Sequence, residues 1–147
     1  MKIRIIVAFA AVFSVIGFGF LSNFQKAESA NEINFNLRCA IPPFQSAYQQ
    51  SKSVFVGEVI GEEKDGDTRT FNFKVEKYWK GKGAKNIQIL VYETTRYQAW
   101  FKKGGKYLIY ATGDEDGKLH VGRCSRSRDA ENAEEDLQKL GKGKIPR

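Results

Sequence analysis

Histidine, methionine and cysteine are scarce in this chain: one, one and two among 147 residues. A single histidine, His120, with Cys39 and Cys124, is too small a set for the four ligands of a structural zinc site. It also leaves little from which to build a catalytic centre. His120 stands between Leu119 and Val121, an alternation that points it outward from a strand, and a His120–Cys124 nucleophile pair requires a free thiol. Neither GxGxxG nor GxxxxGK[ST] precedes a helix, so no nucleotide cofactor is expected, and Gly81, Gly83, Gly104 and Gly105 fall in loops. Asp65, Asp67 and Glu76 have the spacing of three EF-hand positions, but Arg69 and Thr70 stand where a ligand and a glycine belong. Asp114, Glu115, Asp116 and Gly117 read as a solvated turn. With no metal site, no cofactor and no catalytic constellation, the chain reads as a non-enzyme.

Long apolar runs are also missing, with one exception. Residues 5–21 are apolar, follow Lys2 and Arg4, and precede Ala27 and Ser29. The run is about long enough to span a bilayer. Its charged start, with small side chains at −3 and −1 of a cut after Ser29, fits a secretory signal over residues 1–29; a cut after Ala30 is the neighbouring alternative. Residues 30–38 then form a leader, 39–141 the domain, and 142–147 a basic, frayed tail. The expected location is extracytoplasmic, secreted or in the cell envelope. A membrane is met only where the N-terminal segment stays uncleaved. Two cysteines in an exported domain predict one disulfide, Cys39–Cys124.

What the chain does contain is strand patterning. In residues 71–81, Phe71, Phe73 and Val75 alternate with Asn72, Lys74 and Glu76, as in a strand with one buried face. This strand is expected over 68–79. Others are expected over 53–60, 86–92 and 106–112, with a short one at Leu119 and Val121. Val54-Phe55-Val56 implies burial on both faces, and Gly57 beside it a bulge or bend. Residues 62–67 read as a charged turn around Asp65-Gly66. Pro42 and Pro43 stiffen the entry to the domain. Phe44, Ala47 and Tyr48 predict a short helix through Gln50. A second helix is expected after Asp129 as N-cap, with Ala130, Ala133, Leu137 and Leu140 as its apolar stripe and Gly141 as its stop. The fold class is mainly β: a five-stranded OB-like barrel with a short N-terminal and a C-terminal helix.

Lysine and arginine outnumber aspartate and glutamate 24 to 17, a net charge of +7. Lys77, Lys80, Lys82 and Lys85 surround one turn; Arg123, Arg126 and Arg128 flank Cys124; Lys102, Lys103 and Lys106 border an aromatic loop. Lys80, Lys82, Lys85, Arg123, Arg126 and Arg128 are therefore candidate anion contacts, for an acidic polysaccharide or cell-wall polymer. Export argues against an intracellular nucleic acid.

Cys39 with Pro42-Pro43, Ser53-Val54-Phe55-Val56-Gly57, Phe73 with Trp79-Lys80-Gly81, Gly105-Lys106-Tyr107-Leu108-Ile109-Tyr110-Ala111, and Val121-Gly122-Arg123-Cys124-Ser125 occur in this order. Together they resemble the bacterial secreted proteins of the netrin-like class, related to the tissue inhibitors of metalloproteinases. The likeness runs roughly from Cys39 to Leu140. It implies an OB-like barrel with disulfide-tied ends that acts as a binding module on an extracellular or envelope protein, a metalloprotease among the candidates. The animal inhibitors chelate the protease zinc through a free N-terminal cysteine in a Cys-x-Cys opening. Here Ala40 and Ile41 follow Cys39, so the second cysteine is absent, and a free amine at Cys39 requires a cut directly before it. The candidate partner-binding ridge is Cys39, Ala40, Ile41, Pro42 and Pro43, beside a loop carrying Tyr97 and Trp100.

Overall fold

Two long strands, β1 (Ser53–Asp65) and β2 (Thr68–Lys80), pair antiparallel along their whole length. The computed structural model describes residues 39–94 and 99–147; the expected signal (1–29), the leader (30–38) and Tyr97 lie outside the described residues. The charged stretch expected to be a turn is mostly strand. Pairing continues to Asp65↔Thr68, and only the tip turns, with Gly66 at φ 56°. Charges along the ladder find partners: Arg69 reaches Glu62 across it at 3.4 Å, and Lys64 reaches Glu93, outside the ladder, at 3.1 Å. Such cross-strand pairs favour continued pairing over an open loop.

β1 buries Phe55 and Val59 on one face and Val54 on the other, as its apolar run predicts. Its register against β2 shifts at Val54/Phe55, Val56/Gly57 and Val59/Gly61. A Cβ at Gly57 would lie 2.8 Å from the Lys74 carbonyl oxygen, so the curl depends on glycine there. The bend lets β1 pair with β2 on one edge and with β4 (Lys106–Gly113) on the other, from Ser53↔Ala111 to Glu58↔Lys106.

β3 (Asn86–Tyr92) continues from β2, and β5 (Leu119–His120) joins β3 to β4. The pairings thus run β1–β2–β3–β5–β4 and return to β1, all antiparallel except β3 with β5 at Leu90↔His120. Five strands ring one apolar interior. Phe55, Phe71, Phe73, Ile89, Tyr107 and Ile109 fill it, with Phe101 contributed by the segment between β3 and β4.

Outside the ring lies a second, smaller cluster. Here α1 (Phe44–Gln50) and α2 (Glu134–Leu140) cover Val54, Leu108 and Tyr110 with Ala47, Ala133, Leu137 and Leu140. β4 serves both clusters because its alternate side chains face opposite ways: Tyr107, Ile109 and Ala111 point in, Leu108 and Tyr110 out. Asp129 stands at an N-cap as the pattern predicts, but of a short 3₁₀ turn and without a side-chain capping bond, not of the α-helix itself. Its backbone pairs with Tyr107 in a two-residue strand, β6 (Arg128–Asp129); a 3₁₀ turn over Ala130–Asn132 follows, and Ala133 caps α2. Pairing with β4 satisfies backbone groups that a longer helix would have claimed. Gly141, at φ 65°, stops α2 as expected.

The basic tail is docked, not frayed. Lys144 and Tyr78 exchange both backbone hydrogen bonds, at 2.8 and 2.9 Å, and the Arg147 N–H donates to the Gly83 carbonyl at 3.2 Å. Trp79 Nε1 donates to the Gly141 carbonyl at 3.0 Å. Three backbone bonds and an indole bond outweigh the freedom that a short basic tail would otherwise keep.

Candidate functional site

The ridge of residues 39–43 is fixed at both ends. Cys39 is bonded to Cys124, 85 positions away, with a Cα–Cα separation of 5.0 Å. At the other end the Pro43 carbonyl accepts from the Ala47 N–H at 2.9 Å and so begins α1. Between them the Pro42 carbonyl accepts from Arg126 Nη1 at 3.1 Å. Two consecutive prolines already hold this segment extended. Ile41 is left 54% exposed, the apolar crest of the ridge.

Arg126 is the centre of this arrangement. Its Nε and Nη2 donate to the two oxygens of Asp136 at 2.7 and 2.6 Å, a bidentate pair, and the Tyr110 hydroxyl donates to the same carboxylate at 3.1 Å. Asp136 is 1% exposed. Burial by itself raises its pKa, but the Arg126 bonds and charge, with Tyr110, overcome that and hold the carboxyl below its usual range. The Tyr110 hydroxyl is pushed well above its ordinary value, first by burial and then by the Asp136 charge. The cation is neutralised within the fold, and its remaining donor positions the ridge.

Beside the ridge is a cavity of about 220 Å³ whose wall includes Pro42, Ala47, Tyr110, His120, Cys124 and Arg126. Small-molecule sites usually enclose roughly 300–1,000 Å³. This one is sized for a side chain. His120, expected to project freely outward, is half-buried in it. It does face away from the ring interior, but α1 and the disulfide loop cover that side. Its Nε2 lies 2.9 Å from the Thr112 hydroxyl, while Nδ1 is buried with no hydrogen-bond partner among the described residues. A nucleophile–base pair normally has a third group orienting the base through its other nitrogen. Thr112–His120 has none among the described residues. No group of three or more His, Cys, Asp or Glu side chains is placed to hold a metal ion among them either.

The remaining sequence candidates separate. Lys80 Nζ donates to the Tyr48 and Gln49 carbonyls at 2.8 and 2.9 Å, satisfying the C-terminal end of α1. Arg128 Nε donates to the Arg126 carbonyl at 3.4 Å. Lys82, Lys85 and Arg123 are exposed. Trp100 packs with Phe101, ring centroids 4.7 Å apart, against the interior cluster, whereas Pro42 belongs to the cavity beside the disulfide.

Two structural carboxylates escaped the sequence reading. Asp136 falls at helical spacing between Ala133 and Leu140, within the apolar stripe, and that position was its signal. Glu93 is buried where β3 ends, held by Arg69 Nε at 3.0 Å, Lys64 Nζ at 3.1 Å and the Ala99 N–H at 2.9 Å. The Ala99 N–H, ahead of the two cations, lowers its pKa to about 2 against the opposing effect of burial.

No protein-family model matches this chain, and no curated protein matches it. The class is therefore defined by the fold alone: a mainly β domain in which the segment before α1 is tied by a disulfide to the loop between β5 and β6. Such a bond is typical of proteins folded outside the reducing cytoplasm. No helix among the described residues is long and apolar enough to cross a membrane.

Proposed function

We propose that the chain is an extracytoplasmic, non-catalytic binding domain of the netrin-like, TIMP-like kind that grips a protein partner through its 39–43 ridge. The strand ring closing from β4 onto β1, with β3 and β5 parallel, supports the OB-like barrel in this reading. The observation that carries the binding role is the triple anchoring of the ridge, by the disulfide, the Arg126–Pro42 bond and the start of α1, with Ile41 left exposed at its crest. A segment already ordered in this way loses little entropy on binding, and an exposed isoleucine beside a side-chain-sized cavity offers both a knob and a hole.

A metalloprotease is the partner the family resemblance names. With residues preceding Cys39, the ridge acts by occluding a cleft; with Cys39 as the first residue, its amine also reaches the zinc. Intact mass and N-terminal sequencing of the exported protein distinguish these two versions. The test of the reading is a panel of secreted zinc proteases assayed against the oxidised protein at micromolar concentration. Inhibition that Ile41→Asp abolishes, in a variant with an unchanged melting temperature, is the expected result. An uninhibited panel, or equal inhibition by Ile41→Asp, removes the proposal.

A further inference from the structure

The docked tail has a consequence for charge. Its pairing with Tyr78 and its contact with Gly83 bring Lys142, Lys144 and Arg147 beside Lys77, Lys82 and Lys85. The packing is close: a Cβ on Gly143 would lie 3.0 Å from Trp79 Cε2 and 3.3 Å from Lys77 Cβ. All six cations are exposed, and none forms an ion pair among the described residues. The acidic side chain nearest in sequence, Glu76, is engaged by Lys106 at 2.6 Å. The fold thus gathers like charges from two segments far apart in sequence and leaves them uncompensated. Their mutual repulsion is a cost, and a polyanion removes it.

We infer that the docked tail and the 81–85 turn form one binding site for a linear acidic polysaccharide, separate from the ridge. The tail passes from Lys142 through the Tyr78 bridge at Lys144 to Arg147 beside Gly83, so its cations and those of the 81–85 turn form a row suited to a linear polymer rather than to a single point charge. Two other polyanions fit less well. Single-stranded nucleic acid needs exposed aromatic faces for stacking, but Trp79 lies against Gly143 and the Tyr78 ring against Gly83. A lipid surface needs an apolar face to insert, and Ile145, 68% exposed, is the one large exposed apolar side chain in the tail.

The test is binding of the oxidised protein to heparin and to a carboxylated polysaccharide, followed across salt concentration. Affinity falling by about 10² or more between 50 and 200 mM salt is expected. The triple variant Lys142→Gln, Lys144→Gln, Arg147→Gln keeps the backbone bonds that dock the tail, so it removes charge without undocking it. It is expected to lose about tenfold or more in affinity, and Lys82→Gln with Lys85→Gln a comparable amount. The control Lys102→Gln, Lys103→Gln, Lys118→Gln removes equal charge elsewhere and should bind nearly as wild type. No retention of the wild-type protein overturns the inference, as does an equal loss in the control. Tighter binding to single-stranded DNA or to phosphatidylserine vesicles than to the polysaccharides also overturns it. Ile41→Asp should leave polysaccharide binding unchanged, so failure of the ridge and failure of the cationic row are read separately.

Discussion

Inside the strand ring, Phe71, Phe73, Phe55 and Phe101 meet edge to face with centroids 5.2, 5.4 and 5.6 Å apart. Outside it, the cluster under α1 and α2 is smaller and is completed by a buried Arg126–Asp136 pair, the Tyr110 hydroxyl and a disulfide. The inside is held by apolar area and aromatic geometry, which are insensitive to pH and redox state. The outside is held by directional bonds, each of which one substitution or one reductant can remove. A buried ion pair is weak support for net stability, because desolvating both charges offsets much of their attraction. Its value here is geometric: the same guanidinium that pairs with Asp136 also fixes the ridge.

Substitutions on the two sides should therefore differ in kind as well as in size. Phe73→Ala, at a fully buried position contacting three other rings, should cost about 3–5 kcal/mol in denaturant unfolding and loosen both layers together. Replacing both cysteines by alanine should cost about 2–4 kcal/mol, the usual range for a closed loop, with near-ultraviolet circular dichroism of the ring aromatics largely kept. Asp136→Asn leaves the Arg126 cation without its counter-charge and should cost about 2–3 kcal/mol. A loss as large as that of Phe73→Ala, with the ring signal gone, would erase the distinction between the layers.

Acid reaches both sides, through Glu93 at the end of β3 and Asp136 in the outer cluster. Glu93 and Asp136 both have depressed folded-state pKa values, Glu93 about 2 against an ordinary 4.5. Their contributions are fully present above the unfolded values and are lost as pH falls from about 4.5 towards 2. Thermal melts over that range should show falling stability, with a shallower slope in Glu93→Gln. The smallest effect belongs to the crest. Ile41→Ala should shift stability by no more than about 0.5 kcal/mol, because its side chain is mostly in solvent.

The legible parts of this fold were those written in local periodicity. Ile87, Ile89, Leu90 and Val91 mark an apolar strand, and β3 runs over Asn86–Tyr92 as they predict. α1 follows Phe44, Ala47 and Tyr48 in the same way, and the cysteine pairing followed from there being only two. The illegible parts depend on partners distant in sequence. Lys80 and Arg126 read as surface cations because nothing local reveals the α1 carbonyls or Asp136. His120 was assigned to the correct side of its strand, but the strand pattern carries no information about what covers that side. The tail reads as frayed because it is short and basic with no periodic pattern, and its docking is decided by Tyr78 and Gly83. The candidate ridge was marked by its prolines, while the side chains that hold it were not.

Amide hydrogen exchange, with the disulfide intact and after reduction under conditions that keep the ring folded, tests most directly whether the staple orders the ridge. The amides of Ala47, Ser51 and Lys52, bonded to Pro43, Ala47 and Ala111, should be protected in the oxidised protein. On reduction they should exchange markedly faster, while Val59 and Val75 inside the ring keep their protection. Equal exchange at Ala47 and Ser51 in both redox states would contradict a ridge held in place by the Cys39–Cys124 bond.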